Sequence, residues 1–176
     1  RVKCDALGLS AEDYYRDKVL DSDDDMYKGY LDIKVDLKET IDKLYDAELS
    51  EEEKTRLYEN VNGYIERDFY ENEFLCITHD NASFLGMVKQ GRIVRLKNEK
   101  DFRASMSVSS KNREQLYALN AIMDENIDLV TITGLAGSGK TFITLMAAMA
   151  GLSSGRYDRI VITRNVQPVG KDIGFL

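Results

Sequence analysis

Cysteine and histidine are scarce in this 176-residue chain: Cys4, Cys76 and His79 are its full complement. Three such residues with no ligand-like spacing predict neither a zinc site nor a disulfide framework. Reduced thiols in a cytoplasmic protein are the expectation. No apolar run approaches the ~18 residues of a membrane-spanning helix, and the opening RVKCDALG carries no signal-peptide core. Charge is not lacking. At 31% charged and 43% hydrophobic residues the composition is that of a folded domain, not a disordered one.

The net charge of −7 is unevenly spread. Residues 1–82 hold 11 Lys+Arg against 23 Asp+Glu, whereas residues 83–176 hold 13 against 8. An acidic front and a mildly basic back suggest different modules, with any polyanion held by the back half. The chain opens on Arg1 and closes on Gly174, Phe175 and Leu176. It reads as an internal piece of a longer protein.

What organises the sequence is residues 134–141, Gly-Leu-Ala-Gly-Ser-Gly-Lys-Thr. They fit the phosphate-loop pattern G-x-x-x-x-G-K-[ST] at every fixed position. The β-branched run 129–133 before them predicts a buried parallel strand. Residues 140–151 after them are rich in helix formers and close on Gly151. Gly134, Gly137 and Gly139 let the backbone turn tightly, so the amides of Leu135, Ala136, Ser138 and their neighbours can approach phosphate oxygens. The helix adds unpaired N–H donors and the positive end of its dipole. Lys140 is placed to meet the β- and γ-phosphates of ATP, and Thr141 to put its hydroxyl on Mg²⁺. A glycine-rich turn with an accidental lysine is the bland alternative.

In chain order, residues 1–8 suggest a helix end closing on Gly8, followed by a polar, acidic connector. Asp21, Asp23, Asp24 and Asp25 lack the glycine and closing glutamate of a calcium loop, so they read as solvated charge. Residues 30–37 alternate, with Leu31, Ile33, Val35 and Leu37 on one face of a predicted strand. Ser50 and three glutamates open a helix running to about Val61. Three β candidates follow at 73–78, 83–89 and 92–97, joined by turn-like residues. They predict a small meander belonging to a five-stranded barrel. A helix with Leu116, Leu119, Ala121 and Ile122 as its apolar positions precedes the phosphate loop. Residues 159–163 predict a second buried strand, completing one βαβ unit.

Residues 111–115, 134–141 and 162–176 together resemble the start of a PhoH-like ATPase domain, a family related to superfamily 1 helicases. Residues 1–14 are similar to the tail of a PIN domain, the ribonuclease-type module fused ahead of some PhoH-like domains. Residues 72–97 resemble the small module that connects the two. The resemblance implies an α/β chain in three parts. Residues 1–29 are a PIN-like tail and linker, 30–108 a β-rich module, and 109–176 the first part of a P-loop ATPase sheet.

The same resemblance implies roles. Gln115 is similar to the glutamine that reads adenine in related helicases, and a side-chain amide suits the N6 donor and N7 acceptor. Arg164 and Lys171 lie in a segment resembling a strand-contacting motif and are candidates for single-stranded RNA phosphates. Asn165 stands where many family members have proline. The PIN carboxylates precede Arg1 by resemblance, Asp5 and Glu12 being poor substitutes. The second Mg²⁺ acid and any arginine finger fall beyond Leu176. Two functions compete: an RNA-directed ATPase working with a PIN ribonuclease, implied to form a homo-oligomeric ring, and a nucleotide-gated assembly module without strand movement. A metabolic kinase is weakened by Gln115 and Arg164. Residues 1–176 alone are expected to show no turnover and to leave Leu145, Met146 and Met149 uncovered.

Overall fold

The structure, a computed structural model, describes residues 27–98, 102 and 110–163. It is an α/β chain with a four-stranded mixed sheet and four helices among those residues. Strand β1 (Tyr30–Lys34) is followed by α1 (Lys38–Tyr45) and α2 (Glu51–Asn62). Strands β2 (Phe74–His79), β3 (Ala82–Lys89) and β4 (Arg92–Arg95) come next, then α3 (Arg113–Ile122) and α4 (Lys140–Ser153).

The sheet order is β1-β2-β3-β4. β1 runs parallel to β2, Ile33 opposite Ile77, which requires the crossover that α1 and α2 supply. β2, β3 and β4 then fold back antiparallel through two-residue turns. Asp80 and Gln90 take positive φ at 47° and 50° in those turns, with Gly91 at 70°. The sheet is open, not the expected five-stranded barrel. Its β1 and β4 edges have no described strand to close them, and β4 carries Arg92 and Arg95, charges that discourage further pairing.

Both faces of the sheet are covered. On one, Ile33, Leu75, Ile77, Phe84 and Val88 pack against Ile41 of α1 and Leu57 and Val61 of α2. On the other, Tyr30, Phe74, Leu85 and Met87 pack against Tyr117 and Leu116 of α3. That two-sided burial explains why β2 and β3 read as near-continuous apolar runs. Ser50 caps α2 in a full capping box with Glu53, as the sequence suggests.

Three expectations are corrected. Leu37 is exposed and leaves the strand, because the chain turns there into α1, a helix not foreseen in the sequence. The helix after the phosphate loop passes Gly151 and ends in a Schellman motif. Gly155, at φ 73°, donates to Leu152 O, and Arg156 donates to Gly151 O. Gly151 serves packing, since a Cβ there would sit 2.7 Å from the Tyr157 ring. Finally, residues 129–133 and 159–163 are in no hydrogen-bonded ladder, so the βαβ unit has its helix but neither strand. Leu129, Val161 and Ile162 are 84%, 75% and 74% exposed. A strand exists only where another pairs with it, and no described residue offers these segments a partner. Leu145 and Met149 of α4 are exposed and Met146 is half-buried. The expected PIN-like tail, the acidic run at 21–25, Cys4, Arg164 and Lys171 lie outside the described residues. No described helix is long and apolar enough to cross a membrane.

Candidate functional site

The phosphate-type loop is built by its glycines. Gly134, Gly137 and Gly139 have φ of 145°, 81° and 85°, a region that side chains with a Cβ rarely enter. Gly139 is the left-handed N-cap of α4 and offers no side-chain cap. The first amides of α4, those of Lys140, Thr141 and Phe142, therefore have no helical acceptor and point toward the loop end. Ile143 starts the helical ladder by donating to Gly139 O at 2.9 Å.

Lys140 curls back over this loop. Its Nζ donates to Gly134 O at 2.8 Å and to Leu135 O at 2.7 Å, with Ser138 Oγ at 3.4 Å. One ammonium thus draws the two ends of the loop into a ring. Ser138 donates its amide to Leu135 O at 3.3 Å. Leu135, Ala136 and Gly137 are exposed at the loop's crown, and Thr141 is exposed on the first turn of α4. That exposed hydroxyl, on the residue after Lys140 and at a helix start whose amides lack helical acceptors, is the chemistry that would hold Mg²⁺ beside a triphosphate.

Gln115 meets the loop directly. Its Nε2 donates to Ser138 O at 3.2 Å, while its Oε1 accepts from Lys111 N at 2.8 Å. A Cβ on Gly139 would stand 3.1 Å from that Nε2, so the glycine permits the approach as well as the turn. An amide has two hydrogens on nitrogen and two lone pairs on oxygen, and one of each is left. Asn112 fixes the residue's backbone by capping α3, its Oδ1 accepting from Gln115 N at 2.9 Å.

Helix α3 is itself anchored on the sheet. The Arg113 guanidinium makes a two-pronged contact with the Asp32 carboxylate of β1, with Nη2 to Oδ2 at 3.0 Å, and lies 5.3 Å from the Tyr30 ring. Asp32 first, and Glu114 after it, hold the guanidinium's proton more tightly than usual. Tyr117 stacks on Phe74 with ring centroids 4.7 Å apart and planes at 12°. The Tyr117 hydroxyl is buried without a hydrogen-bond partner among the described residues, and burial pushes its pKa up. Asn120, also buried, accepts from Lys97 N at 2.9 Å and donates to Lys97 O at 3.0 Å, like an added strand beside the chain after β4. Burial likewise pushes the Cys76 thiol up.

The structure thus brings Gln115, Ser138, Gly139 and Lys140 together and places Thr141 next to them. Asn112, Arg113, Asp32 and Tyr30 belong to the same assembly and were not anticipated. Asn112 has a legible signal, an N-cap residue three positions before Gln115. The Asp32–Arg113 pair has none, since 81 residues separate the partners.

Comparison with known proteins points to one family. Residues 107–176 match the family described as PhoH-like protein. The chain is 34% identical over 180 residues to Protein PhoH2 of Bacillus subtilis (strain 168), covering 100% of this chain and 38% of that protein. It is 29% identical over 182 residues to Protein PhoH2 of Thermobispora bispora, covering 100% of this chain and 37% of the relative. Protein PhoH of Escherichia coli (strain K12) is 34% identical over 97 residues, 55% of this chain and 27% of its own length. The chain therefore spans less than two fifths of these curated relatives. No solved structure gives a significant match. The match over residues 107–176 and the PhoH and PhoH2 relatives together support placing this chain in the PhoH-like family.

Proposed function

We propose that residues 134–141 bind the triphosphate of ATP with Mg²⁺, and that in the full-length protein this site hydrolyses ATP in the course of acting on RNA. The observation that carries the reading is the loop itself: three positive-φ glycines, with Lys140 Nζ held 2.7–2.8 Å from the carbonyls of Gly134 and Leu135. An ammonium held at a glycine loop that opens a helix, where the first amides lack helical acceptors, suits polyanionic oxygens. Lys140 supplies the counter-charge for the β- and γ-phosphates. Thr141 would offer its hydroxyl oxygen to Mg²⁺, and the ion would supply positive charge against the phosphates. Gln115 orients adenine with its remaining donor and acceptor.

The RNA part of the reading rests on Arg164 and Lys171 as phosphate contacts and on the family's likeness to helicases. Association with a PIN ribonuclease and assembly into a homo-oligomeric ring are parts of the same proposal. The test is ATP hydrolysis by the full-length protein with and without single-stranded RNA. Stimulation by RNA, lost in Lys140→Ala, is the expected result. Hydrolysis that RNA leaves unchanged would shift the reading to a nucleotide-gated assembly module.

A further inference from the structure

The cleft that contains the phosphate loop has a second wall that phosphate chemistry does not use. Ser138, Gly139, Lys140 and Gln115 line it, and so do Tyr30 of β1 and Tyr27 just ahead of that strand. Its volume is about 650 Å³, well inside the roughly 300–1,000 Å³ range of small-molecule sites. A triphosphate seated on the loop leaves space in this cleft for the base-bearing end of a nucleotide.

The two tyrosines are held firmly yet present ring surface. Tyr27 is 55% exposed and is braced edge-on by Tyr70, with centroids 5.4 Å apart. Tyr30 is half-buried, with Tyr117 at 5.8 Å and the Arg113 guanidinium over its ring at 5.3 Å, which leaves Tyr27 as the more open ring. The separation of this wall from the loop is also fixed. The Phe74–Tyr117 stack and the Asp32–Arg113 pair bind α3 to the sheet, and Gln115 binds α3 to Ser138 of the loop. A nucleobase is flat with a π-face whatever its edge, so aromatic rings bind it through stacking with little regard to identity.

We propose that Tyr27 and Tyr30 form a base-stacking wall for the nucleotide held at the phosphate loop, making the four-stranded module part of the nucleotide site. The proposal rests on the reading of residues 134–141 as that site. It assigns the tyrosines affinity for a base as such, and leaves the choice between adenine and guanine to edge contacts such as those of Gln115.

The experiment compares ATP, GTP and inorganic triphosphate, each titrated into the full-length protein by calorimetry. Tyr27→Ala and Tyr30→Leu should each weaken ATP and GTP by about tenfold and leave triphosphate binding unchanged. Tyr27→Phe and Tyr30→Phe keep the ring and should keep nucleotide affinity. A Tyr27→Ala protein that binds ATP normally places the base elsewhere and overturns the proposal. A loss shared equally by triphosphate also overturns it, because the ring then acts through the fold. Tyr27 is the exposed member of the pair, so its variant decides the matter even if Tyr30→Leu fails to fold. Lys140→Ala should lose all three ligands. If it keeps them, the phosphate-loop reading fails, an outcome separate from the failure of the wall.

Discussion

At the scale of single residues, Gln115 has two duties that substitution separates. Its Nε2 already serves Ser138 O and its Oε1 serves Lys111 N, so only the second hydrogen and second lone pair remain for a base. Gln115→Ala should therefore weaken ATP more than GTP, with a difference of about 1–3 kcal/mol for the unfilled amide contact. Michaelis constants for the two nucleotides check this, and equal changes would leave Gln115 as a brace for the loop alone. Thr141→Ala should lower the Mg²⁺-dependent part of nucleotide binding and spare the metal-free part, as titrations with and without Mg²⁺ would reveal. The glycine turn and the helix that starts at Lys140 were readable because local spacing dictates them. The bond between Gln115 and Ser138 was not, because nothing in a sequence says which carbonyl a helix side chain will meet 23 residues on.

At the scale of elements, α3 is the link between sheet and loop, and its contacts can be weighed one at a time. Asp32 and Arg113 are partly exposed, so a double-mutant cycle in chemical denaturation should return a coupling of only about 0.5–1 kcal/mol. Asp32→Arg with Arg113→Asp should recover part of what either single change loses, and no recovery would mean the pair is incidental. Asn120→Ala is a harsher change. It removes the two bonds of the buried Asn120 amide to Lys97 N and O, and a loss of about 0.5–1.5 kcal/mol in unfolding free energy is expected. The elements themselves were partly legible. Ser50 with Glu53 announced α2, and the apolar runs and turn-like connectors of β2, β3 and β4 announced three strands. Helix α1 was missed because its eight residues keep a single fully buried side chain, Ile41, too few for a clear period. The end of α4 was misplaced because Gly151 looked like a terminator when its task is to clear the Tyr157 ring.

At the scale of the whole molecule, the two segments flanking α4 show what a sequence reading assumes. Residues 129–133 and 159–163 have the composition of buried parallel strands, yet Leu129, Val161 and Ile162 are largely exposed. Apolar β-branched runs specify a strand only jointly with the strands beside them. Exposed edges of this kind favour association. Residues 1–176 expressed alone should bind an apolar dye and form polydisperse aggregates, whereas the full-length protein should bind no dye and run as one defined species. Size-exclusion chromatography of both would settle the comparison, and a monodisperse, dye-silent segment would contradict it.

The central claim is that residues 134–141 hold a nucleoside triphosphate through Lys140. Equilibrium binding of ATP with Mg²⁺ to the full-length protein, measured beside Lys140→Ala at matched thermal stability, tests it most directly. The account predicts binding by the unaltered protein and a fall of at least about tenfold in the variant, since one charge-assisted contact to phosphate is worth about 1.5–3 kcal/mol. Equal affinity in the two proteins would contradict it.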